Sequence, residues 1–425
     1  MSSSTSNQPE SSPLAAQPPA EPDSLWQLPV FRTYAGMRFS WIFAQEILTI
    51  ALGWLIYERT RSTFALGMVG LSGFAPSIVL SLFTGTAADR FDRGVIMRWC
   101  GITLALCALA LCLLSLSSVV WPIYAVVVVQ GVARAFAQPA SKAMVPNLAP
   151  APMLSRVIGG TTLIQRAASI CGPAVGGLLI GLGAPVPFAV ACLCACLALL
   201  AAIYLGPQRA RGMAKARPDL AMLLAGYRYV WSRPVILGSM SLDLIAVLFA
   251  GATALLPFYV AEIFHAGPWA LGALRMAIAA GALATALRLA RTPIERGFGP
   301  KLLVSVGIYG VATIAFGVCT NIYLGMLFLF ILGAADSVSV VLRNALIQVN
   351  TPDAMQGRVA AVHSVTVGAS NDLGEFESGV LASAIGGVPS VVVGGVIATL
   401  AALGWAWLFP ALWRADRIAG ALPDD

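Results

Sequence analysis

The chain has 425 residues, of which 58% are hydrophobic and 11% are charged, and its mean hydropathy is +0.83. Soluble globular proteins carry about 25% charged residues, so this composition excludes an ordinary soluble enzyme or binding domain and indicates a polytopic membrane protein. The formal net charge is +7, and the positions of the basic residues favour membrane topology over nucleic-acid binding as its cause.

Hydrophobic runs of about 20 residues, the length that crosses a bilayer as a helix, recur along the chain. The twelve predicted spans are 34–57, 66–87, 95–117, 120–141, 157–182, 188–206, 235–259, 269–290, 302–320, 322–345, 359–384 and 390–413. The longest interval between spans separates two halves, 31–206 and 235–413, and 207–234 forms the linker. The sequence therefore predicts an all-α protein with 12 transmembrane helices in two six-helix pseudo-repeats.

Basic residues lie mainly on one side of the predicted spans. Only Arg59 and Arg61 lie on the side reached after span one, and four others lie inside spans. By the positive-inside rule, the linker and both termini face the cytoplasm of a bacterial inner membrane. The polar, Pro/Ser-rich segment 1–30 is predicted to be a disordered cytoplasmic tail, and 414–425 a second cytoplasmic tail.

Cysteine and histidine give no support for a metal site or a bound cofactor. The 8 cysteines fall in or at the ends of spans without a C-x-x-C pair, and the 2 histidines cannot form a zinc site alone. The expected partners are a small-molecule substrate and the lipid bilayer, with no nucleic acid, and the chain is expected to act as a monomer.

The chain contains an internal repeat. An offset of 202 residues aligns 156–187 with 358–389 without a gap, and an offset of 205 aligns 65–67 with 270–272. Two halves of the same orientation, six spans each, predict a parallel repeat about an axis normal to the membrane.

Charged residues occupy equivalent places in the two halves with opposite sign. The repeat pairs Arg134 with Asp336, and Arg38 with Asp243. These residues lie roughly 8–14 Å from the cytoplasmic ends of their spans at 1.5 Å per residue. We expect them to form a cytoplasmic gate between the halves; pairing within each half, or with backbone carbonyls, is the alternative.

The turn between spans two and three, 85–94, reads GTAADRFDRG. It resembles the G-x-x-x-D-R-x-G-R-[RK] signature of the major facilitator superfamily, with Asp92 and Gly94 as departures, and is similar to the branch that exports the siderophore enterobactin. The resemblance implies the major facilitator fold and a latch between the halves. The residues that would form this latch are Gly85, Asp89, Arg90 and Arg93.

Span five carries a pattern of small residues that resembles the G-x8-G-x3-G-P-x2-G-G motif of antiporters in this superfamily. The matching residues are Gly159, Gly172, Pro173, Gly176 and Gly177, and Ala168 departs from the pattern. The resemblance implies exchange of substrate for protons. Close helix packing with a bend at the proline is the alternative explanation of the same residues.

The second half resembles the same branch in six short segments. These are 242–243, 254–257, 343–344, 351–353, 357–359 and 374–379. Two departures stand out: Glu46 is charged in the middle of span one, and 291–301 keeps only a degenerate copy of the Asp-Arg turn.

Span eleven carries three carboxylates, Asp372, Glu375 and Glu377. A charge at mid-bilayer costs at least about 2.5–3.5 kcal/mol, so such acids usually face a cavity, bind protons or pair with cations. Glu375 and Asp372 are close on the helix and oppose each other's ionisation, which makes Glu375 the first candidate for proton coupling. Asp372 is the second candidate, while Glu377 points away; Glu46 is a further candidate. A polar cluster that fixes helix packing is the alternative.

Four further residues are candidates for binding substrate: Arg166, Arg275, Asn371 and Gln165. Either arginine can hold an anionic group of the substrate, or it can neutralise Glu46 or the acids of span eleven.

Together these features predict a proton-coupled antiporter that exports a siderophore or similar amphipathic molecule, with the proton gradient as its driving force. A multidrug efflux pump is the main alternative, and a proton-coupled importer a weaker one. The Tyr-Asp and Gly-x-Gly-Asp helices of intramembrane aspartyl proteases are absent, which argues against an enzyme. A non-transporting scaffold is also disfavoured.

Overall fold

A computed structural model describes residues 25–148, 151–208, 220–292 and 294–415. In these ranges the chain forms helices and turns, which confirms the predicted all-α class. The first half comprises α1 (Pro29–Thr60), α2 (Thr63–Arg90), α3 (Arg93–Leu114), α4 (Trp121–Met144), α5 (Leu154–Ile180) and α6 (Val186–Leu205). A shorter helix, α7 (Leu220–Ser232), lies in the interval between the halves.

The second half begins with an interrupted helix. After α8 (Pro234–Phe249), a 3-10 turn at Ala252–Leu255 leads into α9 (Leu256–Phe258) and a π-helical turn at Tyr259–Ile263. The remaining helices are α10 (Trp269–Arg291), α11 (Phe298–Gly317), α12 (Ile322–Val349), α13 (Asp353–Ile385), α14 (Gly387–Leu408) and α15 (Pro410–Trp413).

The twelve-span prediction is confirmed. In the described ranges, 10 helical segments are long and apolar enough to cross a membrane. The helices α2, with 28 residues, and α13, with 33 residues, complete the set. On the outside of the bundle, large apolar side chains such as Leu403 and Trp407 are exposed, as expected for a surface that lipid covers.

Side-chain caps start several of these helices. The Asp92 carboxylate accepts a hydrogen bond from the Val95 amide at 3.1 Å and begins α3. Asn321 accepts from the Tyr323 amide at 2.9 Å and begins α12. Because the first amides of a helix lack intrahelical acceptors, these caps set where each span begins.

The two halves repeat the same packing. In the first half α1 packs on α5 and α6, and α3 packs on α4 and α6; in the second half α8 packs on α13 and α14, and α11 packs on α12 and α14. The halves meet along two helix pairs, α2 with α13 and α5 with α10. These two pairs are equivalent under the repeat, so the structure has the pseudo-twofold organisation that the sequence predicts.

The two ends of the bundle carry different turns. The linker face contains the α2–α3 and α4–α5 turns and the interval before α7, and the far face contains the α1–α2, α5–α6 and α13–α14 turns. The distribution of basic residues predicts that the linker face is the cytoplasmic side.

Candidate functional site

A cavity of about 680 Å³ lies between the two halves. Its lining extends from Leu52 and Thr253 in the interior to Lys142 in the last turn of α4, where the side chain is exposed. Since the last turn of α4 lies at the linker face, the cavity opens there.

The lining is amphipathic. Its cationic side chains are Arg38, Arg134, Lys142 and Arg275, and its acidic side chains are Glu46, Asp336 and Glu375. Apolar side chains from both halves complete it, among them Trp41, Ile42, Val127, Val247 and Leu332. Such a surface suits a ligand with an apolar body and a few polar or charged groups.

Glu46 projects from α1 into the cavity and is half-buried. Its Oε1 accepts a hydrogen bond from the Ser169 hydroxyl at 3.0 Å. Arg275 of the other half and Arg134 are the cations that act on it electrostatically. The electrostatic action of Arg275 on Glu46 is consistent with one of the two roles predicted for Arg275, neutralising Glu46.

The acids of α13 occupy different surroundings. Glu375 lines the cavity beside α2, where a Cβ atom on Gly70 would lie 3.2 Å from the Glu375 Oε2 atom. Glu377 is half-buried and outside the cavity lining, and its Oε2 has no hydrogen-bond partner among the described residues. The side chain of Asp372 lies outside the described residues.

The four predicted substrate-binding residues divide into two groups. Arg275, Asn371 and Gln165 line the cavity. Arg166 is exposed on α5, outside that lining, and acts electrostatically on Asp336 of the other half. Three of the four are therefore positioned to touch a molecule in the cavity.

Two polar side chains near the linker face, of which only Gln165 lines the cavity, hold Arg38. Its Nη1 donates to the Ser141 hydroxyl at 3.1 Å, and its Nη2 donates to the Gln165 Oε1 at 3.3 Å. Both acceptors belong to the first half.

The predicted partner of Arg38 is engaged elsewhere. Asp243 forms an ion pair with Arg343 of α12, and their side chains are only 8% and 3% exposed. The Arg343 Nε donates to His363 Nε2 at 3.2 Å. This is pairing within one half, the alternative left open by the sequence. Arg134 and Asp336 both line the cavity where it is open toward the linker face, and the gate stays a prediction.

On the far face, glycine backbones bring the halves into direct contact. A Cβ atom on Gly67 would lie 3.1 Å from the Gly379 Cα, and one on Gly177 would lie 2.6 Å from the Gly272 Cα. Such distances leave no room for a side chain. The repeat relates Gly67 to Gly272 and Gly177 to Gly379, so the two contacts are symmetry equivalents.

A polar contact between the halves accompanies these glycines. The Arg61 Nη1 lies 2.8 Å from the Glu262 Oε1, and the Tyr57 hydroxyl donates to the same oxygen at 3.2 Å. Arg61 and Glu262 were not predicted to interact, because the repeat makes the end of α1 and the π-helical turn equivalent in the two halves but does not show that they meet. The far face is therefore closed while the linker face is open.

The two departures in the signature turn have a structural explanation. Asp92 caps α3 and also accepts from the Gln208 amide at 2.9 Å, while a Cβ atom on Gly94 would collide with the Gly206 carbonyl. Arg93 donates to the Ala143 carbonyl at 2.5 Å. This turn is thus tied to the chain that follows α6. Gly85 belongs to α2, but its surroundings and the side chains of Asp89 and Arg90 lie outside what the structure describes, so the latch stays a prediction.

The small residues of α5 pack against two helices. A Cβ atom on Gly176 would lie 3.3 Å from the Ile47 Cα of α1, and a Cβ atom on Gly172 would lie 2.5 Å from the Glu46 Cβ. Gly177 meets α10, as does the Pro173 carbonyl, whereas a Cβ atom on Gly159 would meet open space. The motif therefore lets α5 pack closely on α1 of its own half and on α10 of the other half, and it leaves room for the Glu46 side chain.

One polar pair in the cavity was missed by sequence reasoning. Gln130 Nε2 donates to Gln45 Oε1 at 2.7 Å, and both residues line the cavity. The available signal was an uncharged amide in the middle of each of two predicted spans.

A sequence profile of the Major Facilitator Superfamily matches residues 35–374. The enterobactin exporter EntS of Citrobacter koseri is 28% identical over 380 residues, which cover 86% of this chain and 90% of that protein. Macrolide efflux protein A of Streptococcus pyogenes is 30% identical over 156 residues, and the match spans only 36% of this chain and 38% of that protein.

Solved structures show the same fold. A bacterial homologue of the human lysosomal transporter Spinster superposes with a TM-score of 0.73 at 16% identity, over 94% of this chain and 100% of that one. A D-xylose-proton symporter superposes with a TM-score of 0.69 at 14% identity, over 89% and 97% of the two chains. The chain belongs to the Major Facilitator Superfamily and is a membrane transporter, not an enzyme.

Proposed function

We propose that this transporter is a proton-coupled exporter of a siderophore or a similar amphipathic small molecule. The observation that carries the proposal is the cavity, which holds three carboxylates and four cations among apolar side chains and opens at the linker face. A ligand enters from that face and leaves at the far face when the halves rock. The likeness to an enterobactin exporter over 86% of the chain supports export of this class of molecule.

Proton coupling is assigned to carboxylates that a ligand can reach. Glu375 and Glu46 both line the cavity, on opposite halves. Glu375 packs against Gly70 of α2 in the facing half, and Glu46 packs against Gly172 of the neighbouring helix α5. A carboxylate in a partly dry cavity exchanges its proton readily when its surroundings change between two conformations. Glu375 is the first choice, because its helix α13 forms one of the two contacts between the halves.

A multidrug efflux pump is the second candidate. The likeness to a macrolide efflux protein, over 36% of the chain, favours it, and the mixed apolar and charged lining accommodates varied compounds. Import driven by protons is a weaker candidate, because it leaves the small-residue motif of α5 without an antiporter role.

The proposed setting follows from the distribution of basic residues. The chain spans a bacterial cytoplasmic membrane with the linker face and both termini in the cytoplasm. One copy contains the whole cavity, so we propose a monomer as the working unit.

The test uses purified protein in liposomes that carry an inward or outward proton gradient. Wild type should move a labelled catechol siderophore against its gradient when protons flow in the opposite direction. The Glu375→Gln variant should lose this flux by at least tenfold while it still exchanges labelled for unlabelled substrate. Full gradient-driven transport by Glu375→Gln would refute the assignment of Glu375, and no transport of siderophore or macrolide by wild type would refute the proposed function.

A further inference from the structure

Two glutamines on adjacent walls of the cavity form an incomplete hydrogen-bonding pair. Gln45 belongs to α1 and Gln130 to α4, and a single hydrogen bond of 2.7 Å joins them. Gln130 is only 8% exposed. The remaining amide atoms, Gln45 Nε2 and Gln130 Oε1, are buried and have no hydrogen-bond partner in the described part of the chain.

A buried amide without partners is unfavourable, and buried polar groups of folded proteins are nearly always satisfied. Here the unsatisfied atoms belong to residues that line the central cavity. The pair offers one unpartnered NH2 group, which carries two N–H donors, and one unpartnered C=O acceptor. This holds whichever way the two amides are oriented, because flipping both exchanges their roles. The unused capacity is therefore a property of the pair and independent of the amide assignment.

On the side away from Arg134, which lies one turn beyond Gln130 on α4, the pair has apolar neighbours. Ile42 and Val127 are apolar cavity residues one helical turn from Gln45 and Gln130, respectively. Glu46 follows Gln45 directly, so it points about 100° away around α1, toward Ser169. A charged group of a ligand is drawn to the arginines and carboxylates, whereas the glutamine pair suits a neutral group.

We propose that Gln45 and Gln130 form a specificity site that reads an amide, or another neutral group with both an acceptor and an N–H donor, in the transported molecule. This inference rests on the proposed export function and specifies the chemistry of its substrate. A site that hydrogen-bonds a substrate group discriminates strongly against an analogue without it, since the buried polar atoms are then left unpaired. The glutamine pair determines which molecules fit, and the charged residues remain available for coupling.

The experiment compares two probes that differ by one N–H group. N-benzylsalicylamide and benzyl salicylate have the same rings and the same phenol, but the ester lacks the N–H donor. Binding to the purified full-length protein in detergent is measured by isothermal titration calorimetry. Wild type should bind the amide about tenfold or more tightly than the ester, the ratio expected when one buried hydrogen bond is lost.

The decisive variant replaces both amides with methionine, which is nearly isosteric but has no N–H and no C=O. The Q45M/Q130M protein should bind the amide and the ester within about twofold of each other, and it should bind the amide at least tenfold more weakly than wild type does. A wild-type circular-dichroism spectrum and a single size-exclusion peak serve as the control for folding. The Gln138→Met variant is the matched control, because Gln138 also lines the cavity two turns further along α4 and lies outside the pair. It should keep the wild-type ratio.

Three outcomes would overturn the inference: equal binding of amide and ester by wild type, no binding of either probe, or an amide preference that survives in Q45M/Q130M. If the glutamine pair only stabilises the packing of α1 against α4, Q45M/Q130M should keep the amide preference and have a lower melting temperature than wild type. The proposed export function has a separate readout in liposomes. A wild type that discriminates between the probes but exports nothing would refute export alone.

Discussion

Gly67 of α2 and Gly379 of α13 lie backbone to backbone at the far face, where a Cβ atom on Gly379 would stand 2.6 Å from the Gly67 nitrogen. The repeat places the same contact at Gly177 and Gly272, between α5 and α10. The two pairs of glycines allow the halves to meet on this face, and the cavity opens on the other. In alternating access, the state that opens the far face must separate both pairs.

Substituting alanine for Gly379 should shift the transporter toward the state that is open at the far face. The new methyl group has no space against the α2 backbone, so the halves must separate there before they can accommodate it. The measurement is cross-linking of cysteines placed at 61 and 262 in a background depleted of native cysteines. Cross-linking should slow at least tenfold relative to the parent protein.

Gly404 is the matched control for this experiment, because a Cβ atom there would meet no atom within 4 Å. The Gly404→Ala variant should cross-link at the parental rate. If Gly379→Ala cross-links as fast as Gly404→Ala, the glycine contact does not hold the far face closed.

The ion pair between Arg61 and Glu262 should contribute much less to closure than the glycines do. Their side chains are 62% and 41% exposed, and such exposed pairs contribute less than about 1 kcal/mol. The Glu262→Gln variant should therefore change the ratio of open to closed protein, measured by spin-label distances across the far face, by about fivefold at most. The effect should diminish in 1 M salt, where the Debye length is about 3 Å. A large effect that is insensitive to salt would contradict this assignment.

The small-residue motif of α5 can be divided into positions that the fold needs and positions that it does not. Alanine at Gly172 would press on the Glu46 side chain, while alanine at Gly159 would enter open space. We expect Gly172→Ala to reduce gradient-driven transport at least tenfold and Gly159→Ala to reduce it less than twofold. Equal loss in both variants, measured in the same liposomes, would show that displacement of Glu46 is not the cause.

Residues close in sequence or related by the repeat were predictable, and contacts set by docking of separate helices were not. Hydrophobic run length predicted the twelve spans, and the repeat identified Gly177 and Gly379 as equivalents. The sequence could not show which glycine meets which, because that depends on how the halves dock. It also did not indicate the break after α8, since that stretch is apolar on both sides of Gly251. At this break the Tyr309 hydroxyl donates to the Ala250 carbonyl at 3.2 Å.

The ion pair of Asp243 shows the same limit. The repeat aligns Asp243 with Arg38, and their opposite charges suggested that the two residues pair. In the folded second half, Asp243 pairs with Arg343 instead. Charge alone ranks all nearby arginines equally, and only the packing of α8 against α12 distinguishes them.

Removing Asp243 should destabilise the protein. The Asp243→Asn variant leaves the Arg343 guanidinium buried without its counter-ion, and breaking a buried pair in this way costs about 3–5 kcal/mol. We expect a lower melting temperature in detergent by intrinsic fluorescence. The D243N/R343M double variant should recover most of the loss, since replacing both members of a buried pair is often neutral. A D243N protein as stable as wild type would show that the pair does not stabilise this half.

Arg134 and Asp336 should behave differently, because both face the cavity and come from opposite halves. If they meet when the linker face closes, either single charge reversal places like charges against each other in that state and should reduce transport at least tenfold. The R134E/D336R double reversal restores opposite charges and should recover transport in liposomes. The melting temperatures of the single variants separate this gate from a structural pair, because a gate that is open in the resting state contributes little to them. Failure of the double reversal to recover transport, with all three proteins folded and stable, would exclude direct pairing of Arg134 and Asp336 during the transport cycle.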